Sequence, residues 1–194
     1  MIKDIIAANR SYRRFDESVK ISREQLLDWI NLARLTGSAG NGQRLKFAAV
    51  SEPDLCAAVF PTLAWAGYLT DWPGPAVGER PTGYIIILKD KSFGDSFLQI
   101  DVGLAAQSAL LGAVEAGFGG CMIASVKRED LADVLKLDPD RFEAALVIAL
   151  GKPAEKVVLE PIKDGDIKYW RDDQGVHHVP KRSLEEIVVD SLGN

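Results

Sequence analysis

This chain reads as an α+β fold on three observations. Helical and extended signals interleave along it, its first stretch is helical, and its strand-like runs are not followed regularly by the crossovers of a doubly wound sheet. With 194 residues it can bury roughly 70% of its unfolded surface without disulfides or metals. Residues 1–194 are expected to form one domain, since no repeat, low-complexity block or linker interrupts them.

Ile2, Ile5 and Ile6 fall at helical spacing, so a first helix should stop near Asn9 and deliver Arg10 to Arg13 into a turn. Ser22-Arg23-Glu24-Gln25 has the form of a capping box and opens a helix over 22–35. Gly37, Gly40 and Gly42 then mark a polar loop before a short strand over 46–50, and Pro53 suits the start of another helix. From Pro61 to Pro81 the chain reads as loop or lid. Trp65, Tyr68 and Trp72 there either cover the core or line a substrate pocket, two roles that suit aromatic rings equally.

Thr82 to Leu88 is an apolar, β-branched run fit for a central strand. Ile100 to Gly117 is apolar on most faces and rich in Ala and Gly, so a helix there must be buried all round, in the core or at a subunit interface. Cys121 to Ala124 and Ala144 to Leu150 are further strands, and 127–137 is an amphipathic helix turning Leu131, Val134 and Leu135 inward. Beyond Gly151-Lys152-Pro153 the tail is polar, with turns at Asp164-Gly165-Asp166 and Asp172-Asp173-Gln174-Gly175 and a last helix capped by Ser183.

The formal charge of −5 opposes a general nucleic-acid role, although one local basic pocket for a phosphate stays compatible with it. Cys56 and Cys121 match neither a CxxC pair nor a metal site, which favours a reducing compartment. Charges at Lys3 and Asp4 and the lack of a long apolar run point to a soluble, cytoplasmic protein without a membrane span. Adjacent His177 and His178 on a strand would face opposite ways, so no metal site is expected. Gly117-Phe118-Gly119-Gly120 precedes a strand and lacks dinucleotide-loop spacing, and no Ser lies in a nucleophile elbow.

What remains is a set of cations and amides. Arg10 and Arg13 flank Ser11 at a helix end and could face one anion, or could be a solvated turn pairing with Asp16 and Glu17. Asn41 and Gln43 donate and accept together, as the edge of a heteroaromatic ring requires, or cap their own loop. Cations, amides and aromatics without a nucleophile suit a held redox ring.

In these segments the chain resembles the FMN-dependent nitroreductase family. Arg10-Ser11-Tyr12-Arg13-Arg14-Phe15 is similar to its R-S-x-R-x-F opening and Ser38-Ala39-Gly40-Asn41-Gly42-Gln43 to its S-x-x-N-x-Q loop. Gly117 to Ile123 resembles its G-x-G-S-C-x-I strand entry, Leu146 to Pro153 its strand end, and Lys181-Arg182 its basic C-terminal clamp. The resemblance implies a three-layer sandwich with a central, mainly antiparallel sheet flanked by helices, in an intertwined homodimer with FMN at the interface. It gives Arg10, Ser11, Tyr12, Arg13, Lys181 and Arg182 to the cofactor's phosphate, ribityl and pyrimidine side. It also gives Ser38, Ala39, Asn41 and Gln43 to the loop from the partner subunit, and Met122, Ile123, Ala124 and Ser125 to the strand beside N5.

The activity implied is hydride transfer from NAD(P)H by way of flavin N5 to a nitroaromatic, quinone or other conjugated small molecule, in ping-pong order and with no catalytic side chain. Reductive dehalogenation, a flavin-consuming reaction and a flavin-binding module without turnover are the alternatives. The chain departs from many relatives at Asn9, where a basic residue is common, at Arg44-Leu45-Lys46, where Pro-Trp often follows the glutamine, and at Ala124, where some place a glutamate.

Overall fold

A computed structural model of the chain describes residues 1–189. It divides into two compact units, one built from Met1–Trp65 with Pro73–Ala154 and the other from Ala66–Trp72 with the residues from Glu155 onward.

The larger unit is organised by an antiparallel sheet. Strand β3 (Gly83–Asp90) lies between β2 (Leu45–Val50) and β5 (Phe142–Pro153), and β5 also carries β1 (Phe15–Asp16) and β4 (Gly119–Ile123). Every residue of β3 from Tyr84 to Leu88 is at most 4% exposed, so the apolar run expected of a central strand is covered on both faces. Ile85, Ile87, Ile148 and Leu150 pack against helices α2 (Arg23–Leu35) and α4 (Leu98–Glu115). Against the opposite face lie α3 (Pro53–Val59) and α5 (Arg128–Leu135), through Cys56, Val59 and Leu131. The unit therefore has the three layers, helices on sheet on helices, that the resemblance implied.

Local chemistry accounts for the helix ends. Ser22 Oγ accepts from the Gln25 amide at 3.2 Å while the Gln25 side chain accepts from the Ser22 amide at 2.9 Å, the reciprocal capping box read from sequence. Helix α1 (Ile2–Ala8) ends at Asn9, whose extended backbone turns the chain out of the helix. Arg10 donates to the Ile6 carbonyl at 2.8 Å and Tyr12 to the Ala8 carbonyl at 3.1 Å, so both side chains satisfy carbonyls that a helix end leaves open.

Of the two places expected for helix α4, the core accounts for one stripe: Val102, Ala105, Ala106, Ala109 and Ala113 are buried, while Ile100 is 57% and Leu104 44% exposed within the chain. Its composition is apolar throughout because one stripe meets the sheet and a second stripe faces outward. The polar tail is also more ordered than turns alone suggest. In the smaller unit β6 (Val157–Pro161) pairs in parallel with β8 (His177–Lys181), and β7 (Trp170–Arg171) pairs antiparallel with β8. The connection from β6 to β8 contains the turns that were read, but their long-range pairing has no local signature. Helix α6 (Leu184–Ile187) follows, capped by Ser183 and Glu186. No helix among the described residues is long and apolar enough to cross a membrane.

Candidate functional site

Two of the sequence-distant segments meet on the sheet. Ser11 forms a parallel bridge with Gly120, and the Tyr12 amide donates to the Gly120 carbonyl at 3.1 Å, so the Arg10–Arg13 turn is laid along the start of β4. Small residues permit this approach. A Cβ on Gly119 would stand 2.6 Å from the Tyr12 ring, and one on Gly120 would stand 2.4 Å from the Ala149 carbonyl oxygen. The glycines that superficially suggest a phosphate loop are thus packing residues that bring the basic turn to the strand.

Within that turn Arg13 is only 9% exposed and donates to the Ser11 carbonyl at 3.2 Å. Arg10 Nε is shut off from solvent and has no acceptor, an uncompensated donor of a kind that folded proteins rarely keep. The nearby carboxylates hold other donors: Asp16 accepts from the Ser18 amide and hydroxyl, and Glu17 from the amides of Gly78 and Arg80. Downstream in β4, Met122 is 37% exposed and Ile123 is buried, while Ala124 and Ser125 are exposed beyond the strand end. The Ser125 carbonyl accepts from the Ala64 amide at 2.9 Å, which fixes the segment leading to Trp65.

The Ser38–Gln43 loop is held elsewhere in the same unit, at the first turn of α4. Asp101, 2% exposed, accepts from Ser38 Oγ at 2.8 Å, from the Ala39 amide at 2.9 Å and from Arg44 Nη1 at 2.7 Å. Ser38 Oγ in turn accepts from the Gln43 amide at 3.0 Å. Burial alone would raise the Asp101 carboxyl, but the Ala39 amide, the Ser38 hydroxyl and Arg44 outweigh it and hold the pKa below its usual 3.8. Inside the loop Gly40, Asn41 and Gln43 have positive φ, at 59°, 51° and 45°, a region that Gly and Asn visit readily and Gln only uncommonly. Gln43 Nε2 donates to Asn41 Oδ1 at 3.2 Å, joining the two exposed amides into one polar edge.

Asp101 and Arg44 were missed as site-building residues by sequence reasoning. The available signal was a lone acid in the first turn of an otherwise apolar helix, a residue that must find partners if it is buried.

The three aromatics offered as a substrate pocket fall in both units. Trp65 is 9% exposed, stands 5.7 Å from the Phe60 ring and abuts Gly74, so it packs inside the larger unit. Tyr68 and Trp72 belong to the smaller unit. Tyr68 lies 4.9 Å from the Tyr169 ring, and Arg171 stands 4.7 Å over Trp72. Lys181 and Arg182, exposed at the end of β8, belong to that unit too, where Arg182 Nη1 is 3.6 Å from Glu186. His177 is buried against Tyr169, whereas His178 stacks on Trp170 at 4.1 Å with Glu160 and Asp172 each 3.2 Å from one ring nitrogen.

Solved structures share this α+β architecture. A nitroreductase family protein of Clostridium difficile 630 matches with a TM-score of 0.68 at 16% identity, covering 99% of this chain and 98% of that one. A nitroreductase-like protein of Exiguobacterium sibiricum 255-15, solved in complex with FMN, matches with a TM-score of 0.67 at 19% identity over 88% of this chain and 97% of its own. The family model described as Nitroreductase family matches residues 6–152, and the chain belongs to that family. A curated relative, "Putative NAD(P)H nitroreductase YdgI" of Bacillus subtilis (strain 168), is 24% identical over 186 residues, covering 79% of this chain and 88% of its own.

Proposed function

We propose that this chain is an NAD(P)H-dependent FMN oxidoreductase that passes hydride, by way of the flavin, to a nitroaromatic, quinone or other conjugated acceptor. The observation carrying this reading is the Arg10–Arg13 turn bound to Gly120 of β4, which joins an anion-seeking turn to a partly exposed strand edge on one rigid surface. The donor set suits FMN: Arg10 Nε is buried without an acceptor, Arg13 is nearly enclosed, and Ser11 is exposed beside them. Arg10, Ser11, Tyr12 and Arg13 would take the phosphate, ribityl and pyrimidine side. Met122, Ile123, Ala124 and Ser125 would lie along the ring, and Ser38, Ala39, Asn41 and Gln43 would present the amide edge.

When bound, FMN supplies a two-electron carrier that a nicotinamide can reduce and an open acceptor can reoxidise. The chain's part is to fix a cation near the side of the ring where negative charge grows on reduction, which favours the reduced state, and to leave one face open to donor and acceptor in turn. A homodimer belongs to this reading. The outward stripe of α4, with Ile100 and Leu104 exposed and nothing within 4 Å of the position a Cβ would occupy on Gly103, lies beside the Asp101 latch and offers an apolar face for a second copy.

Steady-state kinetics test the reaction. With NADH or NADPH varied at several fixed concentrations of a quinone or nitroaromatic, parallel double-reciprocal lines are expected. Converging lines would overturn the ping-pong order, and no acceptor-dependent oxidation of either nucleotide by FMN-loaded protein would overturn the activity.

A further inference from the structure

We propose that Asp101 is the positioning residue of the Ser38–Gln43 loop and that the Asp101–Arg44 pair sets the electrostatic balance felt by the flavin, an inference that rests on the function proposed above. Three donors converge on the Asp101 carboxylate from the loop and its exit: Ser38 Oγ, the Ala39 amide and Arg44 Nη1, all within 2.9 Å. Ser38 relays the hold to Gln43, whose amide bonds the Ser38 hydroxyl at 3.0 Å. The latch therefore grips the loop at both ends of the segment containing the left-handed residues Gly40, Asn41 and Gln43. Of these, Gln43 is the residue for which the conformation is uncommon, and its amide is held by Ser38, which the carboxylate holds in turn.

The pair is also a charge device. Asp101 is buried and the Arg44 side chain is 15% exposed, at 2.7 Å, so their fields nearly cancel outside while each alone would be poorly screened. Removing either charge leaves the other uncompensated beside the loop that would touch the ring. The two single changes should therefore move the flavin in opposite directions. A merely structural role for both residues would loosen the loop in the same sense each time.

The test measures the flavin midpoint potential and FMN affinity of Asp101→Asn, Arg44→Leu and the double variant, with amide hydrogen exchange over residues 38–43. Asp101→Asn should raise the potential, because the bared Arg44 favours the more negative reduced ring. Arg44→Leu should lower it, and the double variant should return toward the parent. Ala39 and Gln43 amides should exchange at least tenfold faster in Asp101→Asn, and the Gln43 amide alone in Ser38→Ala, which cuts the relay while keeping the pair, with FMN affinity falling about tenfold in each.

Shifts of the same sign in the two single variants, or none, would overturn the charge assignment. Unchanged exchange at Ala39 and Gln43 would overturn the positioning role, and that readout stands even where the parent takes up no FMN, an outcome that would sink the proposed function instead.

Discussion

Gly120→Ala should damage both the fold and the candidate site, because the position serves both. The added methyl would stand 2.4 Å from the Ala149 carbonyl oxygen, 2.9 Å from Leu150 Cδ2 and 3.0 Å from Leu110 Cδ2. The first of these is backbone within a five-stranded sheet and cannot swing aside as a side chain could. Relief requires β4 to move away from β5 by up to about 1 Å, since carbon contacts settle near 3.5–4.0 Å. Overpacking of this kind costs about 1–3 kcal/mol, and for a chain of this size each kcal/mol shifts the melting midpoint by about 2–4 °C.

The expected fall for Gly120→Ala is therefore about 2–12 °C. The Tyr12 amide bonds the Gly120 carbonyl, so the Arg10–Arg13 turn moves with the strand and FMN affinity should fall as well. Gly37→Ala is the control: nothing lies within 4 Å of its added methyl and its φ is not positive, so its effect should stay within about 0.5 kcal/mol. Thermal melts followed by circular dichroism, with FMN titration of the same samples, make the comparison. Equal melting and equal affinity in the two variants would refute the packing account of the glycines.

Further outcomes are expected from the same geometry. Arg13→Ala removes an enclosed guanidinium whose charge-assisted contact is worth about 1.5–3 kcal/mol, so FMN should bind about ten- to a hundredfold more weakly by fluorescence titration. Ser22→Ala removes a reciprocal cap and should cost about 1 kcal/mol in a denaturant melt. If the proposed dimer forms through α4, Ile100→Lys with Leu104→Lys should leave a monomer in sedimentation velocity, and a dimer that survives both would place the interface elsewhere. Asp101 contributes stability that is present above its unfolded pKa of 3.8 and lost as pH falls through its lowered folded value. The parent should therefore lose more stability below pH 4 than Asp101→Asn does.

Local periodicity and capping made most of the larger unit legible. The Ser22 and Ser183 boxes, the stop at Asn9, the proline opening α3 and the covered run of β3 each follow from short-range chemistry, and the structure places them accordingly. What escaped depends on distant partners. Phe15–Asp16 is a strand only because β5 extends to Pro153, and β6 to β8 are a sheet only because Val157 and His177 find one another across the tail. Whether the whole of α4 is core or part of it serves an interface was not legible, because composition cannot distinguish a core face from a face left outward.

In the candidate site, residue types singled out the basic turn and the amide loop. Their supports were hidden, because Gly120 and Asp101 act through pairings far along the chain. Trp65, Tyr68 and Trp72 looked like a single aromatic cluster in sequence, but the chain passes from one unit to the other between them.

The most direct test of the central claim is the visible absorption spectrum of the purified protein, loaded with FMN and then given NADH or NADPH without oxygen. The account predicts a bound yellow flavin that bleaches on adding the nucleotide and regains its colour with a quinone or nitroaromatic. A protein that takes up no FMN, or whose bound flavin stays oxidised with both nucleotides, would contradict it.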